Sequence, residues 1–396
     1  MFMGRSVLIL GEYPPPFGGV GIHVRSFVPY LIEQGYQVRV VSAGREPGVE
    51  EADGFTVHRL VHEARDNARV LARRLPSVVA EFARSRFADI DFLKSQAITA
   101  VAEPLVADAD MICAYHLLPW GFAAARLAER FGLPLCMVNF GEVYAAEAHF
   151  RRHARQIRYV ASQASELVSV SQHCARSLSQ VGIDREVDVI PMGVDVDALS
   201  PSVDGSVMRA RLGIGDGEPV VLYLGRMHQN LGLHTVLEAL PSFVGRARTI
   251  IAGARSDLTP AAEAFAAAHP DRVSVIPDFP FEDLAGFYAA ADVVLAPSPD
   301  NRPCMGLAIK EAMASGKPVI ACDIGGIPEA VVHEGTGLLT PAEDSEALGA
   351  AVGRLLDDPA ECARLGAAGR ERAIDLFSVQ RTNERLEGVF ARMLGL

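Results

Sequence analysis

The stretch from Ser6 to Gly44, "SVLILGEYPPPFGGVGIHVRSFVPYLIEQGYQVRVVSAG", decides the fold of this chain. Residues 6–11 form a short apolar run typical of a buried strand. A glycine-rich turn then opens an amphipathic helix that Gly35 closes, and residues 36–44 form a second apolar run. Strand, helix and strand in this order predict a βαβ unit, and therefore a parallel sheet with helices on both faces.

The same alternation continues on both sides of a polar, proline-containing stretch at residues 194–219, which is predicted as a linker. Both halves share one architecture, so the predicted fold class is α/β, with two doubly wound Rossmann-like domains facing a cleft. We expect an N-terminal domain at residues 1–195, a C-terminal domain at 200–376, and a last helix at 378–394 that packs back on the first domain. The other predicted strands begin the segments 109–116, 133–141, 164–182, 186–195, 220–226, 249–255, 273–279, 291–298, 317–323 and 337–341.

Composition excludes several classes of function. The 396 residues are 49% hydrophobic and carry a formal charge of -12, with no basic run, so a nucleic-acid partner is not expected. A strongly anionic membrane surface is disfavoured for the same reason. The sequence shows no signal-peptide pattern, no apolar stretch long enough for a transmembrane segment and no C-x-x-C pair, which predicts a cytoplasmic protein.

Four motifs occur in a fixed order along the chain. They are "PPPFGGVGIH" (14–23), "IPMGVD" (190–195), "LYLGRMHQNLG" (222–232), and "MGLAIKE" (305–311), the last followed by "GGIPEAVVHEGTGLL" (325–339). In this order and spacing the chain resembles, over almost its full length, the retaining GT-B-fold glycosyltransferases of the large family that includes sucrose and mannosyl transferases (family 4 type).

The resemblance implies a binding site for an activated sugar phosphate donor. Charge builds on the departing phosphate in such a transfer, and pre-arranged donors must stabilise it. The resemblance gives this role to Arg226 and to the backbone N–H groups at a helix start, where Gly306, Leu307 and Ala308 stand. Glu311 would accept hydrogen bonds from a ribose diol, and the turn at Gly18 and Gly19 would let backbone approach the donor. The reaction so described needs no metal and no cofactor.

Two further groups of residues are expected on the acceptor side. His116 ends the predicted strand at 109–116 and Glu142 follows the strand at 133–141, so both are candidate catalytic residues together with Arg226. Tyr13, His23 and Glu142 are candidate acceptor-binding residues. A purely structural role for His116, Tyr13 or His23 is the alternative for each.

The chain departs from the family pattern at several positions that the resemblance places near the donor. Pro303 stands where the family has a glutamate, and Leu231 stands where it has a lysine. Met192 replaces the asparagine of the domain junction, Phe140 the histidine of the first domain, and Asp278 a glycine near the nucleobase.

We therefore expect a retaining glycosyltransferase that moves a sugar from a nucleoside diphosphate donor to a hydroxyl of a small soluble acceptor, with natural-product biosynthesis as its setting. One alternative is a transferase with another donor, such as phosphoribosyl diphosphate, or a cyclitol-coupling enzyme. The other is a non-catalytic binding or partner subunit with the same fold. A dinucleotide-dependent dehydrogenase is disfavoured, because no G-x-G-x-x-G follows the first strand.

Overall fold

The structure is a computed structural model. It describes residues 5–14, 18–52, 54–61, 72, 74–87, 89–300, 302 and 304–396. The chain divides into two compact units. The first consists of Met1–Pro191 and Asn383–Leu396, and the second of Met192–Thr382. Each unit is an α/β structure built on one sheet, which confirms the predicted fold class.

The sheet of the first unit has eight strands in the order β3-β4-β2-β1-β5-β6-β7-β8. All its neighbouring strands run parallel except β3, which is antiparallel to β4. The central strands are fully buried, as expected for a sheet covered on both faces. The strands are β1 Arg5–Leu10, β2 Tyr36–Gly44, β3 Gly48–Ala52, β4 Phe55–Val61, β5 Met111–Tyr115, β6 Leu135–Asn139, β7 Glu166–Ser169 and β8 Asp188–Val189.

Helices connect these strands and carry the apolar stripes that cover the sheet. Within the described residues of the first unit they are α1 Gly19–Glu33, α2 Leu75–Ser85, α3 Ile90–Val106, α4 Phe122–Phe131, α5 Glu142–Ala145, α6 Glu147–Arg152, α7 Ala154–Gln163 and α8 Gln172–Ser179. The sequence analysis missed the hairpin of β3 and β4. The solvent-exposed strand β3 has no apolar alternation, and the only sequence signal was the Asp53–Gly54 dipeptide, which is typical of a hairpin turn.

The second unit has a six-stranded parallel sheet in the order β11-β10-β9-β12-β13-β14. Its strands are β9 Val220–Leu224, β10 Arg248–Gly253, β11 Val273–Pro277, β12 Val293–Ala296, β13 Val319–Cys322 and β14 Leu338–Thr340. Its helices are α9 Ser206–Arg211, α10 Leu233–Ala239, α11 Thr259–Ala268, α12 Leu284–Ala290, α13 Leu307–Ala314, α14 Ile327–Ala330, α15 Ser345–Asp357, α16 Pro359–Phe377 and the start of α17 Val379–Leu394.

The stretch predicted as a linker, residues 194–219, is packed into the second unit. It contains helix α9, whose Met208 is buried and whose Arg209 donates to the carbonyl of Ala290 at 2.7 Å. A polar composition suggested an exposed connection, but Leu199, Met208 and Ile214 of this segment are buried in the core of the second unit.

The last helix, α17, belongs to the first unit from Asn383 onward. Phe390 is buried and meets the ring of Phe27 edge-on at 5.4 Å, and Glu387 accepts a hydrogen bond from Tyr36 at 2.8 Å. The first unit is therefore completed by the end of the chain.

Among the described helices, none combines the length and the low polarity that crossing a membrane requires.

Candidate functional site

Two segments of the second unit meet at one edge of its sheet. The segment after β9 carries Arg226, and the segment after β12 leads to Gly306. Because β9 and β12 are neighbouring parallel strands, their carboxyl ends lie at the same edge. Backbone contact joins the two segments: a Cβ atom on Gly232 would lie 1.4 Å from the carbonyl oxygen of Pro297. This edge, at the central strand where the order reverses, is where α/β sheets bind ligands.

Gly306 shapes the start of helix α13. It has φ 73° and ψ 122°, in the region that favours glycine, and directly precedes the helix. The first-turn N–H groups of Leu307 and Ala308 have no acceptor within an α-helix, so they point out of the helix end. The helix dipole adds a partial positive charge there, which suits a phosphate.

Glu311 lies one turn into the same helix and is largely buried. Its Oε2 accepts a hydrogen bond from the hydroxyl of Tyr288 at 2.8 Å. Burial raises the pKa of Glu311, while the Tyr288 hydrogen bond and the charge of Lys310 oppose that rise. Tyr288 therefore fixes the direction of the carboxylate that is predicted to receive a ribose diol.

Lys310, the neighbour of Glu311, points elsewhere. Its Nζ donates to the carbonyl oxygen of Met192 at 2.6 Å, and its ammonium lies 5.7 Å from the ring centre of Phe377. Burial lowers the pKa of Lys310 to about 7. This lysine is thus engaged with the backbone of Met192, and it does not replace the lysine that the family has at Leu231.

The Arg226 segment is shaped by its backbone. The hydroxyl of Tyr223 donates to the carbonyl of Arg226 at 3.0 Å, and the N–H of Asn230 donates to Nδ1 of His228 at 2.9 Å. The Arg226 side chain itself is exposed, and Leu231 is 39% exposed. The segment that follows β9 thus presents an exposed guanidinium and an exposed leucine.

In the first unit, His116 and Glu142 come together at the carboxyl ends of β5 and β6. The two Glu142 oxygens accept hydrogen bonds from the N–H groups of Leu117, at 2.7 Å, and Phe140, at 2.8 Å. Nδ1 of His116 lies 3.8 Å from Glu142 Oε2, in ion-pair range but too far for a direct hydrogen bond. His116 also has φ 71°, which is uncommon for a residue other than glycine.

The pKa values of His116 and Glu142 are both shifted toward the charged forms. Burial would lower the pKa of His116, but Glu142 beside it and the charge of Glu12 raise the pKa above its ordinary value. Burial would raise the pKa of Glu142, but His116 and the backbone donors lower it. The pKa values of both side chains are thus shifted in the direction that favours their charged forms, a pattern typical of functional sites.

Gly18 and Gly19 begin helix α1, at the carboxyl edge of β1. Gly18 is the residue before the first helical turn, and a Cβ atom there would lie 3.6 Å from Glu12 Oε2. Glu12 thus lies by this turn and also acts on the charge of His116. The glycine turn and the His116–Glu142 pair accordingly share an acidic neighbour that the sequence analysis did not select.

The side chains of Tyr13 and His23, which are predicted to bind the acceptor, pack against aromatic rings of the first unit. The ring of Tyr13 meets Phe55 edge-on at 5.6 Å. His23 is buried, with its ring 5.7 Å from Tyr115 and 6.2 Å from Phe140. Their acceptor-binding role stays a prediction.

Two residues outside the predicted set, one in each unit, form hydrogen bonds that hold predicted site segments. Arg59 is buried and donates to the carbonyls of Tyr13, at 2.6 Å, and Pro14, at 2.7 Å, so it anchors the segment before the glycine turn. Tyr288 holds Glu311. Both residues lie in apolar runs of the sequence. Such a run does not show whether a tyrosine is an ordinary core residue or whether an arginine points to solvent, and the only signal was a polar group inside an apolar stretch.

The positions that depart from the family pattern have clear locations, except Pro303, which lies outside the described residues. Phe140 packs its ring 5.4 Å from that of His116. Asp278 has φ 52°, where a glycine is the usual residue, and its Oδ1 accepts from the N–H of Arg255 at 3.0 Å. Phe140 thus places an apolar ring where the family has a histidine, and Asp278 places a carboxylate where the family has a glycine.

Two family models and several known proteins match this chain. Residues 17–198 match the family model "Glycosyltransferase Family 4", and residues 218–358 match "Glycosyl transferases group 1". A D-inositol 3-phosphate glycosyltransferase from Xylanimonas cellulosilytica is 33% identical over 223 residues, so this match spans about half of each protein, 53% of either chain. A GDP-mannose-dependent alpha-(1-6)-phosphatidylinositol monomannoside mannosyltransferase from Mycolicibacterium smegmatis is 28% identical over 96% of both chains.

The fold likeness extends over the whole chain. The solved structure of a sucrose-phosphate synthase from Thermosynechococcus elongatus superposes with a TM-score of 0.79 at 23% identity, covering 99% of each chain. The two family models occur in the expected order along the chain, and a relative and this fold both match it over almost its full length. The chain belongs to the GT-B-fold glycosyltransferases of the family 4 type.

Proposed function

We propose that the enzyme transfers a sugar, with retention of configuration, from a nucleoside diphosphate donor to a hydroxyl of a small soluble acceptor. The observation that carries the donor half is that the segments of Arg226 and Gly306 follow neighbouring parallel strands at one sheet edge, with Glu311 held by Tyr288 one turn into the helix. Arginine and two backbone N–H groups suit a diphosphate, and a fixed carboxylate suits a ribose diol.

We propose a phosphorylated cyclitol or related polyol as the acceptor class. The two relatives named above have an inositol phosphate or a phosphatidylinositol glycoside in their names. Such an acceptor has several hydroxyls, and the His116–Glu142 pair offers both an acceptor and a donor of hydrogen bonds. A soluble acceptor, a cytoplasmic location and a role in natural-product biosynthesis rest on the sequence alone.

The proposed mechanism needs no metal. Arg226 and the N–H groups of Leu307 and Ala308 stabilise the leaving phosphate as the bond to the anomeric carbon breaks. The acceptor hydroxyl then attacks from the same face, because retention is proposed, and its proton passes to the oxygen of the departing phosphate. His116 and Glu142 orient the acceptor, and the carboxylate of Glu142 is kept ionised by its two backbone donors.

A second candidate is a transferase with a different phosphorylated donor, such as phosphoribosyl diphosphate. Leu231 stands exposed in place of a cation, and Lys310 is engaged with Met192, so the diphosphate end has fewer cations than the family pattern. The motive for this candidate is that Pro303 replaces the glutamate with which the family holds the sugar, while Arg226 and the helix start at Gly306 are kept.

A ligand panel tests both candidates. The purified protein is titrated with UDP, GDP, TDP, ADP and phosphoribosyl diphosphate while its melting temperature is followed, because a ligand that binds the native state stabilises it. The binding nucleotide is then supplied as its sugar conjugate with inositol 3-phosphate, and NMR gives the anomeric configuration of the product. Inversion would contradict the retaining mechanism. A shift with phosphoribosyl diphosphate alone would favour the second candidate, and no shift would favour a non-catalytic role.

A further inference from the structure

A cluster of two histidines and two aspartates lies in the first unit, apart from the residues given a role above. Asp89, His149 and His153 place one ligand atom each within 4.8 Å of one another. Nε2 of His153 is 2.7 Å from Asp89 Oδ2, and Nδ1 of His149 is 4.0 Å from the same oxygen. The sequence supplies this set by two short spacings, histidines four residues apart and aspartates two apart.

The shared aspartate is held in place by backbone. Asp89 precedes helix α3, and its Oδ1 accepts hydrogen bonds from the N–H groups of Asp91, at 2.8 Å, and Phe92, at 3.2 Å. Asp89 is thus the N-cap of α3. The two hydrogen bonds use one carboxylate oxygen and fix the orientation of the carboxylate. The second oxygen, Oδ2, is thereby directed at the two imidazoles.

His149 is oriented by a second carboxylate. Its Nε2 lies 2.9 Å from Asp91 Oδ2, and an aspartate in this position receives the ring proton. Nδ1 then carries the lone pair and faces Asp89. A carboxylate that holds the far nitrogen of an imidazole is the usual outer partner of a metal-binding histidine.

The surroundings combine access with an apolar wall. The ring of His153 is largely buried against Phe87, at 5.0 Å between centres, whereas the side chains of His149 and Asp89 are 33% and 24% exposed. An ion could therefore reach the cluster from solvent and then lie against buried aromatic residues. Apolar walls of this kind strengthen the binding of a cation to its ligands.

We propose that Asp89, His149 and His153 bind one Zn²⁺-class divalent ion, with Asp91 as the outer partner of His149. Two imidazoles and a carboxylate are a ligand set that zinc accepts, with a water molecule as fourth ligand. Zinc bonds of about 2.0–2.1 Å in a tetrahedron place ligand atoms about 3.3 Å apart. The 2.7 Å separation must open and the 4.0 Å separation must close, each by less than about 1 Å, which side-chain rotation supplies.

The ion would have a structural role. The ion would join Asp89, at the start of α3, to His149 in α6 and to His153, the residue after α6. Helix α6 begins only a few positions after Glu142 in the chain. Binding would therefore steady the segment that carries Glu142. It takes no part in the transfer itself, so its test is independent of the proposed reaction.

The test uses the full-length protein after treatment with EDTA. Zn²⁺ is titrated by calorimetry, and native mass spectrometry counts the bound ions. Co²⁺ is added to a second sample, because the visible absorption of Co²⁺ reports tetrahedral coordination. We expect one equivalent to bind tightly and the melting temperature of the first unit to rise, and a protein that binds no ion saturably would overturn the proposal.

Variants separate the cluster from adventitious binding. Asp89→Asn keeps an N-capping oxygen but removes the anionic ligand, so the fold is retained while Zn²⁺ affinity falls by at least about 100-fold. His153→Ala should have the same effect, and Asp91→Asn should weaken binding by about 10- to 100-fold. Asp184→Asn and His269→Ala are the matched controls and should leave the affinity unchanged. Equal binding by the Asp89→Asn variant and the native protein would refute the assignment.

Discussion

Arg226 is the residue whose removal should affect the proposed transfer most. Its side chain is exposed, and it follows β9 at the sheet edge where the leaving phosphate is expected. Arg226→Ala should lower kcat by about 100-fold or more, on the scale of losing one pre-arranged oxyanion donor. Steady-state kinetics with the identified donor measure this effect.

The control for Arg226 is Arg246→Ala. Arg246 is an exposed arginine of the same unit that pairs with Asp357 at 2.5 Å, before the amino end of β10. This variant should have native kcat. Near-native turnover in Arg226→Ala would remove that residue from the proposed mechanism.

The His116–Glu142 pair predicts a stability difference with a defined pH window. His116 has a raised pKa, so its contribution is complete below about its ordinary 6.5 and is lost as the pH rises through the folded value. Glu142 has a lowered pKa, so its contribution is complete above its ordinary 4.5 and is lost as the pH falls through the folded value. Both contributions are complete between about pH 4.5 and pH 6.5. Glu142→Gln should therefore lower the free energy of unfolding by about 1–3 kcal/mol, mostly in this pH range.

Urea denaturation at several pH values measures this difference. Glu147→Gln, a change at an exposed residue five positions along the chain, should show no such window. A cost that is constant from pH 4 to pH 8 would show that the hydrogen bonds of Glu142, and not its charge pair, matter.

Lys310 predicts a different pH dependence. Its pKa of about 7 lies below the ordinary 10.5, so between these values the unfolded chain binds a proton that the native protein does not. Stability should therefore rise as the pH increases from about 7, by about 1.4 kcal/mol per pH unit. Lys310→Met removes the ionisable group at similar volume and should flatten this rise, which urea denaturation at pH 7, 8 and 9 would detect. A slope that survives the substitution would contradict the assignment.

At the scale of elements, helix α13 depends on the conformation of the residue before it. Gly306 has φ 73°, and a Cβ atom there would lie 2.9 Å from Ile309 Cδ1. Gly306→Ala should lower the free energy of unfolding by about 1–2 kcal/mol and weaken donor binding, because the N–H groups of Leu307 and Ala308 would be re-aimed. Calorimetric titration with the identified nucleotide and urea denaturation measure the two effects.

The same substitution elsewhere supplies the control. Gly388 lies inside helix α17, and a Cβ atom there would meet nothing within 4 Å. Gly388→Ala should stabilise the protein by about 0.4–1 kcal/mol, since alanine is the better helix former, and should leave nucleotide binding unchanged. A loss of stability in both variants would indicate that the effect of Gly306 is not conformational.

Sequence reasoning predicted the elements best where apolar runs were long. The strand predicted at 36–44 is Tyr36–Gly44, and the helix predicted from Gly18 to Gly35 is Gly19–Glu33. Other strands were predicted a few residues too long, since the ends of a buried run do not reveal where ladder pairing stops. The polar strand β3 could not be found this way, because its side chains face solvent on an edge.

The candidate site was predictable where glycines and charged residues follow strands. Gly306, Glu311 and Arg226 were selected through the family resemblance, and the structure brings the segments after β9 and β12 to one sheet edge. Tyr288 and Arg59 were not selected, because their partners, Glu311 and the carbonyls of Tyr13 and Pro14, come from distant parts of the sequence. Such pairings depend on tertiary structure and leave no local pattern.

At the scale of the whole molecule, the first unit depends on the last residues of the chain. Phe390 is fully buried against Phe27, so Phe390→Ala should destabilise the first unit by about 3–5 kcal/mol. The protein has a single tryptophan, Trp120, which is buried in that unit, so tryptophan fluorescence during denaturation reports its unfolding.

The control is Leu396→Ala, at a residue that is 60% exposed, which should leave the fluorescence transition in place. An unchanged transition in the Phe390→Ala variant would mean that α17 contributes nothing to the stability of the first unit.

The return of the chain to the first unit also sets an order of events during synthesis. About 190 residues of the second unit separate the two parts of the first unit. At 5–20 residues per second, a ribosome needs roughly 10–40 seconds to make them. The second unit can thus fold on the ribosome while the first still lacks Phe390, and the exposed face around Phe27 is available to chaperones for that time.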